Sequence, residues 1–203
     1  MKITEDNYGQ FYFGNANECY IQSEFNLNGY EASKPSPDIG YDLIVTNCAR
    51  VKFLEEEAKQ YDVQVKSTVC NNKGESLIYI DDDDFNMLCE NDNGYLVCVF
   101  CEPEFAPRDG LIHVDRDSVE NVIQKCIDNH LIFEWNELNY VSFKELKSFE
   151  GLKLVSFTRD YVWFNKSHLR RLINLEAFWT DNTKEGKKFG RFELEKKKMD
   201  LFC

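Results

Sequence analysis

The stretch GYLVCVFCEPEF, Gly94 to Phe105, carries apolar side chains at both odd and even positions from Tyr95 to Cys101. Successive side chains of a strand point to opposite faces, so such a strand needs cover on both sides. It predicts an interior strand of a sheet with helices packed against each face. Candidate neighbours follow from the turn-bounded apolar runs around it. DLIVTNCARVKFL is expected as one strand or the first arm of a hairpin, YDVQVKSTV as the next strand, and ESLIYI as a short third strand after the turn-like NNKG.

Helical patterns alternate with these runs. In GNANECYIQSEFNLN, residues 14–28, the apolar positions Tyr20, Ile21, Phe25 and Leu27 alternate with polar ones, predicting an amphipathic helix capped by Asn15 or Asn17 and stopped by Gly29. EASKPSPDIG, with two prolines and a glycine, reads as a loop. The block Asp81 to Asp84 suggests a cation site, but it precedes FNMLCEND, a short helix whose amides and dipole acidic residues would complement; the capping reading is the one adopted. DSVENVIQKCIDNHLI predicts a further helix, capped by Asp117 or Ser118 and buried along Val119, Val122, Ile123, Cys126 and Ile127.

Past residue 134 the pattern loosens. NYVSFKELKSFEGLKLVSFTRDYVWF mixes strand-like aromatics with a helical turn, SHLRRLINLEAFW looks helical, and the last twenty residues are charged. The expected architecture is α/β: a core over residues 1–133, with residues 134–203 as a C-terminal α+β extension packed on it. A chain of 203 residues with 43% apolar content buries such a core unaided.

The net charge of −12 argues against a non-specific nucleic-acid coat. Its distribution is uneven, since the segment from Lys166 to Lys198 holds ten Lys and Arg against five Asp and Glu. No apolar run reaches the roughly 18 residues that a membrane span requires, and the N-terminus lacks a basic stretch leading into an apolar one, so a soluble, cytoplasmic protein is expected. The eight cysteines are scattered and suit reduced thiols. Cys98 and Cys101 have the spacing of a zinc half-site, but no second CxxC or close histidine pair completes it. His113, His130 and His168 are dispersed, without a recognisable nucleophile partner.

Catalytic chemistry is suggested in YDVQVKST instead. On a strand Gln64 and Lys66 share one face while Val63 and Val65 share the other, so the valines hold the core and the polar pair opens onto a common site. Upstream, PDIGYDLIV puts Asp42 at the mouth of the preceding strand, just after Gly40, where the backbone can turn sharply. A carboxylate, a second oxygen ligand and an ammonium on adjacent strands are the elements of a hard-metal phosphodiester site. The bland readings are an edge-strand lysine, a solvated glutamine, a turn aspartate and an exposed helical glutamate.

The ordered set GNANECYIQSEFNLNGY, PDIGYDLIV and VQVKST resembles the PD-(D/E)xK, or restriction-endonuclease-like, superfamily in its QxK form, over roughly residues 14–101. The resemblance implies a restriction-endonuclease-like core and a metal-dependent nuclease acting on nucleic acid, DNA in the first instance, in defence or mobile-element biology. It implies a site in which Glu18, Asp42 and Gln64 hold Mg²⁺ or Mn²⁺ and Lys66 assists the nucleophile. Glu24 competes with Glu18 for the helix position, and Asp38 either contributes or shapes the loop. Arg170, Arg171, Lys187 and Lys188 are the expected backbone contacts; Trp163, Phe164 and Trp179 are candidates for stacking on bases or for core. Gln64, where the common pattern has a carboxylate, leaves a catalytically inactive binding or immunity-type protein as the alternative. A homodimer or a partner chain that supplies recognition also fits this reading.

Overall fold

The computed structural model describes residue 3 and residues 8–37, 39–69, 75–107, 152–174, 178–182 and 188–195. The expected helix in residues 117–132 and the expected boundary at 133/134 lie outside the described residues. Helix α1 (Tyr8–Leu27) leads into a short strand β1 (Glu31–Ser33), followed by β2 (Leu43–Thr46), α2 (Cys48–Leu54) and the long β3 (Gln60–Val69). Then come β4 (Glu75–Asp81), α3 (Asp82–Glu90), β5 (Gly94–Pro107), β6 (Leu152–Asn165), α4 (Lys166–Asn174), β7 (Phe178–Asn182) and β8 (Lys188–Glu195).

Five strands form a mixed sheet in the order β1-β2-β3-β5-β6, in which only β3 and β5 run parallel. As expected, β5 is an interior strand buried on both faces. Leu96, Cys98 and Phe100 join Phe85 and Leu88 of α3, Leu169 and Leu172 of α4, and Ile78 and Ile80 of β4. Val97, Val99 and Cys101 join Val63 and Val65 of β3, Leu43 and Val45 of β2, and Ile21 and Phe25 of α1. Each fully buried Leu, Val or Phe contributes about 1.5–3 kcal/mol, so helices on both faces are what this strand's composition demands. Strand β6, from beyond residue 134, belongs to this same sheet, paired along β5. A second sheet of order β4-β8-β7 ties the ESLIYI segment to the C-terminal strands.

The C-terminus of α1 is set by Gly29. At φ +80 it lets the Gly29 amide reach Asn26 O and the Tyr30 amide reach Phe25 O, while the Tyr30 and Phe25 rings meet at 6.2 Å. This is a Schellman ending with its hydrophobic contact. The start of α1 corrects the sequence reading: it begins at Tyr8, so neither Asn15 nor Asn17 is a cap. Asn17 is buried in mid-helix, donating to Phe13 O and accepting from Arg159 Nε at 3.0 Å. A second correction falls on NCARVKFL, which is a helix rather than a continuing strand. Its free amides are capped from a distance, because the Glu31 carboxylate of β1 accepts from the Cys48 and Ala49 amides, each at 2.8 Å. Glu31 to Ser33, expected as loop, is thereby a strand with a task. A third correction concerns SHLRRLINLEAFW, where the helix ends at Asn174 and Phe178 begins a strand.

Candidate active site

The site begins where β2 leaves β3. Their last paired residues are Leu43 and Val63, whereas β3 stays paired with β5 as far as Val69. At the parting, the Asp42 amide still donates to Val63 O at 2.9 Å. The next donor on β3, the Val65 amide, has no strand acceptor and finds the Asp42 carboxylate, with Oδ2 at 2.7 Å. The same Oδ2 accepts from Gln64 Nε2 at 2.8 Å. The Asp42 side chain thus replaces the missing strand partner and fixes the Gln64 amide beside it. Gly40 enables this approach: its φ is +88, and an added Cβ would lie 3.3 Å from Met87 Sδ of α3, so a side chain there meets both backbone strain and a crowded neighbour.

Gln64 is 5% exposed, and its Oε1 is buried without a hydrogen-bond partner among the described residues. An amide oxygen in that condition carries a desolvation cost of about 1–3 kcal/mol, which a bound cation or donor would remove. Two residues along, Lys66 turns to the α3 side, where its Nζ meets Asp84 Oδ2 at 3.0 Å. Glu18 on α1 is half-buried and pairs with Lys34 Nζ at 2.6 Å; Lys34 also donates to Asn15 Oδ1 one helical turn earlier.

Electrostatics link these groups to Asp42. Burial pushes its carboxyl up from the ordinary 3.8 to about 6; the charges of Glu18 and Asp84 add to the rise, and the Val65 hydrogen bond and Lys66 oppose it. Asp42 is therefore a half-buried carboxyl under negative charge from two elements, a condition that favours a proton or another cation.

Of the residues expected from the sequence, Asp42 and Gln64 are in direct contact, and Glu18 and Lys66 lie close enough to act on the Asp42 charge. Glu24 is elsewhere, accepting from Tyr161 OH at 3.3 Å, and Asp38 lies outside the described residues. Among the described residues no three His, Cys, Asp or Glu side chains are grouped so as to hold a metal ion. Cys98 and Cys101 point into opposite core layers, which removes them as a shared half-site. Asp81 is the cap of α3 as expected, accepting from the Asp83 amide at 3.1 Å.

Asp84 and Lys34 were not picked out from the sequence as partners of the site. For Asp84 a signal existed: it stands four residues before the fully buried Leu88, hence on the inner side of α3. Lys34, in a loop, gave none.

Arg170 and Arg171 are exposed on α4, Arg170 donating to Cys89 O at 3.3 Å; Lys187 lies outside the described residues and Lys188 begins β8. Phe164 is core, whereas Trp163 is 46% exposed and lines a cavity of about 450 Å³ with Phe25, Tyr30, Tyr61 and Tyr95. Trp179 lies in β7. His168 is half-buried, with its Nδ1 unpartnered among the described residues; His113 and His130 are outside them. No helix among the described residues is long and apolar enough to cross a membrane.

The fold and site define an α/β protein with a mixed five-stranded sheet and a polar cluster at the point where two of its strands part. Comparison with protein-family models and with curated proteins finds no match for this chain.

Proposed function

We propose that this protein is a nuclease of the restriction-endonuclease-like type that hydrolyses nucleic-acid phosphodiester bonds, DNA first among them, with Mg²⁺ or Mn²⁺. The observation that carries the reading is the Asp42–Gln64 hydrogen bond, with Lys66 next on the same strand face, at the open edge of β3. The donor set suits a hard cation: among the described residues the Gln64 oxygen is unpartnered, and both hydrogen bonds to the Asp42 carboxylate fall on Oδ2. Asp42, Gln64 and Glu18 would hold the ion. Once bound, such an ion supplies Lewis-acid polarisation of a phosphoryl oxygen and a lowered pKa for its water. Lys66 places an ammonium where charge develops on the phosphate, and Arg170 and Arg171 offer cations to the flanking backbone.

Cleavage of plasmid and of labelled oligonucleotides with Mg²⁺ or Mn²⁺ tests this. Activity in the wild type should fall about 100-fold or more in Lys66→Ala and in Asp42→Asn, as loss of a transition-state charge contact implies. Wild-type activity retained in both variants would dismiss the assignment.

A second reading, a non-cutting binding or immunity-type protein on the same fold, is favoured by a different observation. Both candidate charges already have partners, Glu18 with Lys34 and Lys66 with Asp84. A net charge of −12 suits a basic protein partner. That reading expects no cation-dependent cleavage from well-folded protein.

A further inference from the structure

We infer that Asp84 of α3 supplies the carboxylate that the strand lacks at Gln64, completing the cation site from the opposite wall. This rests on the nuclease reading above and extends it to a residue that reading leaves out.

Four acidic residues open α3, and the structure separates their tasks. Asp81 caps the helix, and Asp83 is exposed. Asp84 is half-buried, one residue before the buried Phe85, and its side chain leaves the helix for β3. Helix capping therefore does not account for it. Its Oδ2 meets Lys66, two residues beyond Gln64 on the same strand face, and its charge reaches Asp42.

The independent sign of a ligand is Gln64 itself, nine-tenths and more buried, with its amide nitrogen on Asp42 and its oxygen without a partner among the described residues. An oxygen beside a carboxylate, with no donor to satisfy it, calls for a cation. Gln64 brings no charge, so a site made of Asp42 and Gln64 alone binds a divalent ion weakly. Asp84, already turned to this strand face at Lys66, is the carboxylate that would correct that deficit on leaving its ion pair. Its present ion pair gives the inference a second consequence: when Asp84 turns to the cation, the Lys66 ammonium is released toward the phosphate.

The test is Mn²⁺ binding to the full chain without nucleic acid, read by calorimetry and by loss of the free-ion paramagnetic resonance signal. Asp84→Asn should weaken binding about 10-fold or more, the size expected for losing a group that completes a metal shell. Asp83→Asn should bind as wild type. Gln64→Glu placed in the Asp84→Asn background should restore affinity, because it returns the missing charge from the strand. Thermal unfolding of each variant checks folding. If Asp42→Asn abolishes binding while Asp84→Asn leaves it untouched, the role of Asp84 is refuted and the nuclease reading stands. If Gln64→Glu fails to restore binding to folded Asp84→Asn, the charge argument is wrong. If folded wild type binds no Mn²⁺, both readings fall together.

Discussion

The two faces of β3 do opposite work within four residues. Val63 and Val65, with 0% and 7% exposure, pack under α1 among Leu43, Val45 and Val97. Gln64 and Lys66, on the α3 side, sit among polar partners although the same side of the neighbouring β5 offers Leu96, Cys98 and Phe100 to a core. One face excludes water and the other keeps an unpartnered oxygen and ionised groups partly out of it. Groups held at such a cost on an otherwise consistent sheet are where function is to be sought. The contrast teaches that stability and chemistry are divided between faces, and substitutions can break that claim.

The largest effect should come from the apolar face. Leu43→Ala, at a fully buried position, is expected to lose about 2–5 kcal/mol in urea unfolding. Gln64→Leu should stay within about 1 kcal/mol of wild type, because it removes a buried acceptor that has no partner, and Asp42 keeps its bond to the Val65 amide. A loss in Gln64→Leu as large as that in Leu43→Ala would mean that the glutamine is a structural element, and the division between faces would be lost.

Next in size is the pH dependence that Asp42 imposes. Because burial lifts its folded pKa from 3.8 to about 6, the folded chain holds the proton more tightly than the unfolded one. The stability this confers is complete below about pH 4 and is lost as pH rises through about 6. Asp42→Asn does not titrate, so its stability relative to wild type should increase by about 2–3 kcal/mol from pH 4 to pH 7. Thermal unfolding across that range measures it, and parallel curves for the two proteins would show that Asp42 is not held under the burial and negative charge described.

The alternation that makes this contrast was legible in the sequence. Valine and polar residues at period two defined both faces of β3, and Gly40 before Asp42 marked the turn that brings the carboxylate in. The unbroken apolar run in β5 gave the interior strand, and Gly29 gave the end of α1. The misreadings share a cause, which is that partners distant in sequence overrode local preference. Asn15 and Asn17 have the composition of caps, but Asn17 is bonded to Arg159 across 142 residues, and α1 continues past both. Val51 and Phe53 favour a strand, yet Glu31 caps the amides of Cys48 and Ala49 and makes that segment α2. In the site, the position of Asp42 and Gln64 followed from pattern, whereas the pairing of Lys66 with Asp84 required the packing of α3 across the sheet.

The smallest effect tests how far the cation site extends toward α1. Lys34 bonds to Glu18 at 2.6 Å and its side chain is 37% exposed, so the pair contributes less than about 1 kcal/mol of stability. Lys34→Met should therefore unfold close to wild type. It also frees the Glu18 carboxylate, whose negative charge already acts on Asp42. If Glu18 shares in holding a cation, Mn²⁺ should bind more tightly to Lys34→Met than to wild type, because the ion no longer competes with an ammonium for that oxygen. Unchanged Mn²⁺ affinity, with folding intact, would make Glu18 a structural partner of Lys34 and confine the cation to the groups at the parting of β2 and β3.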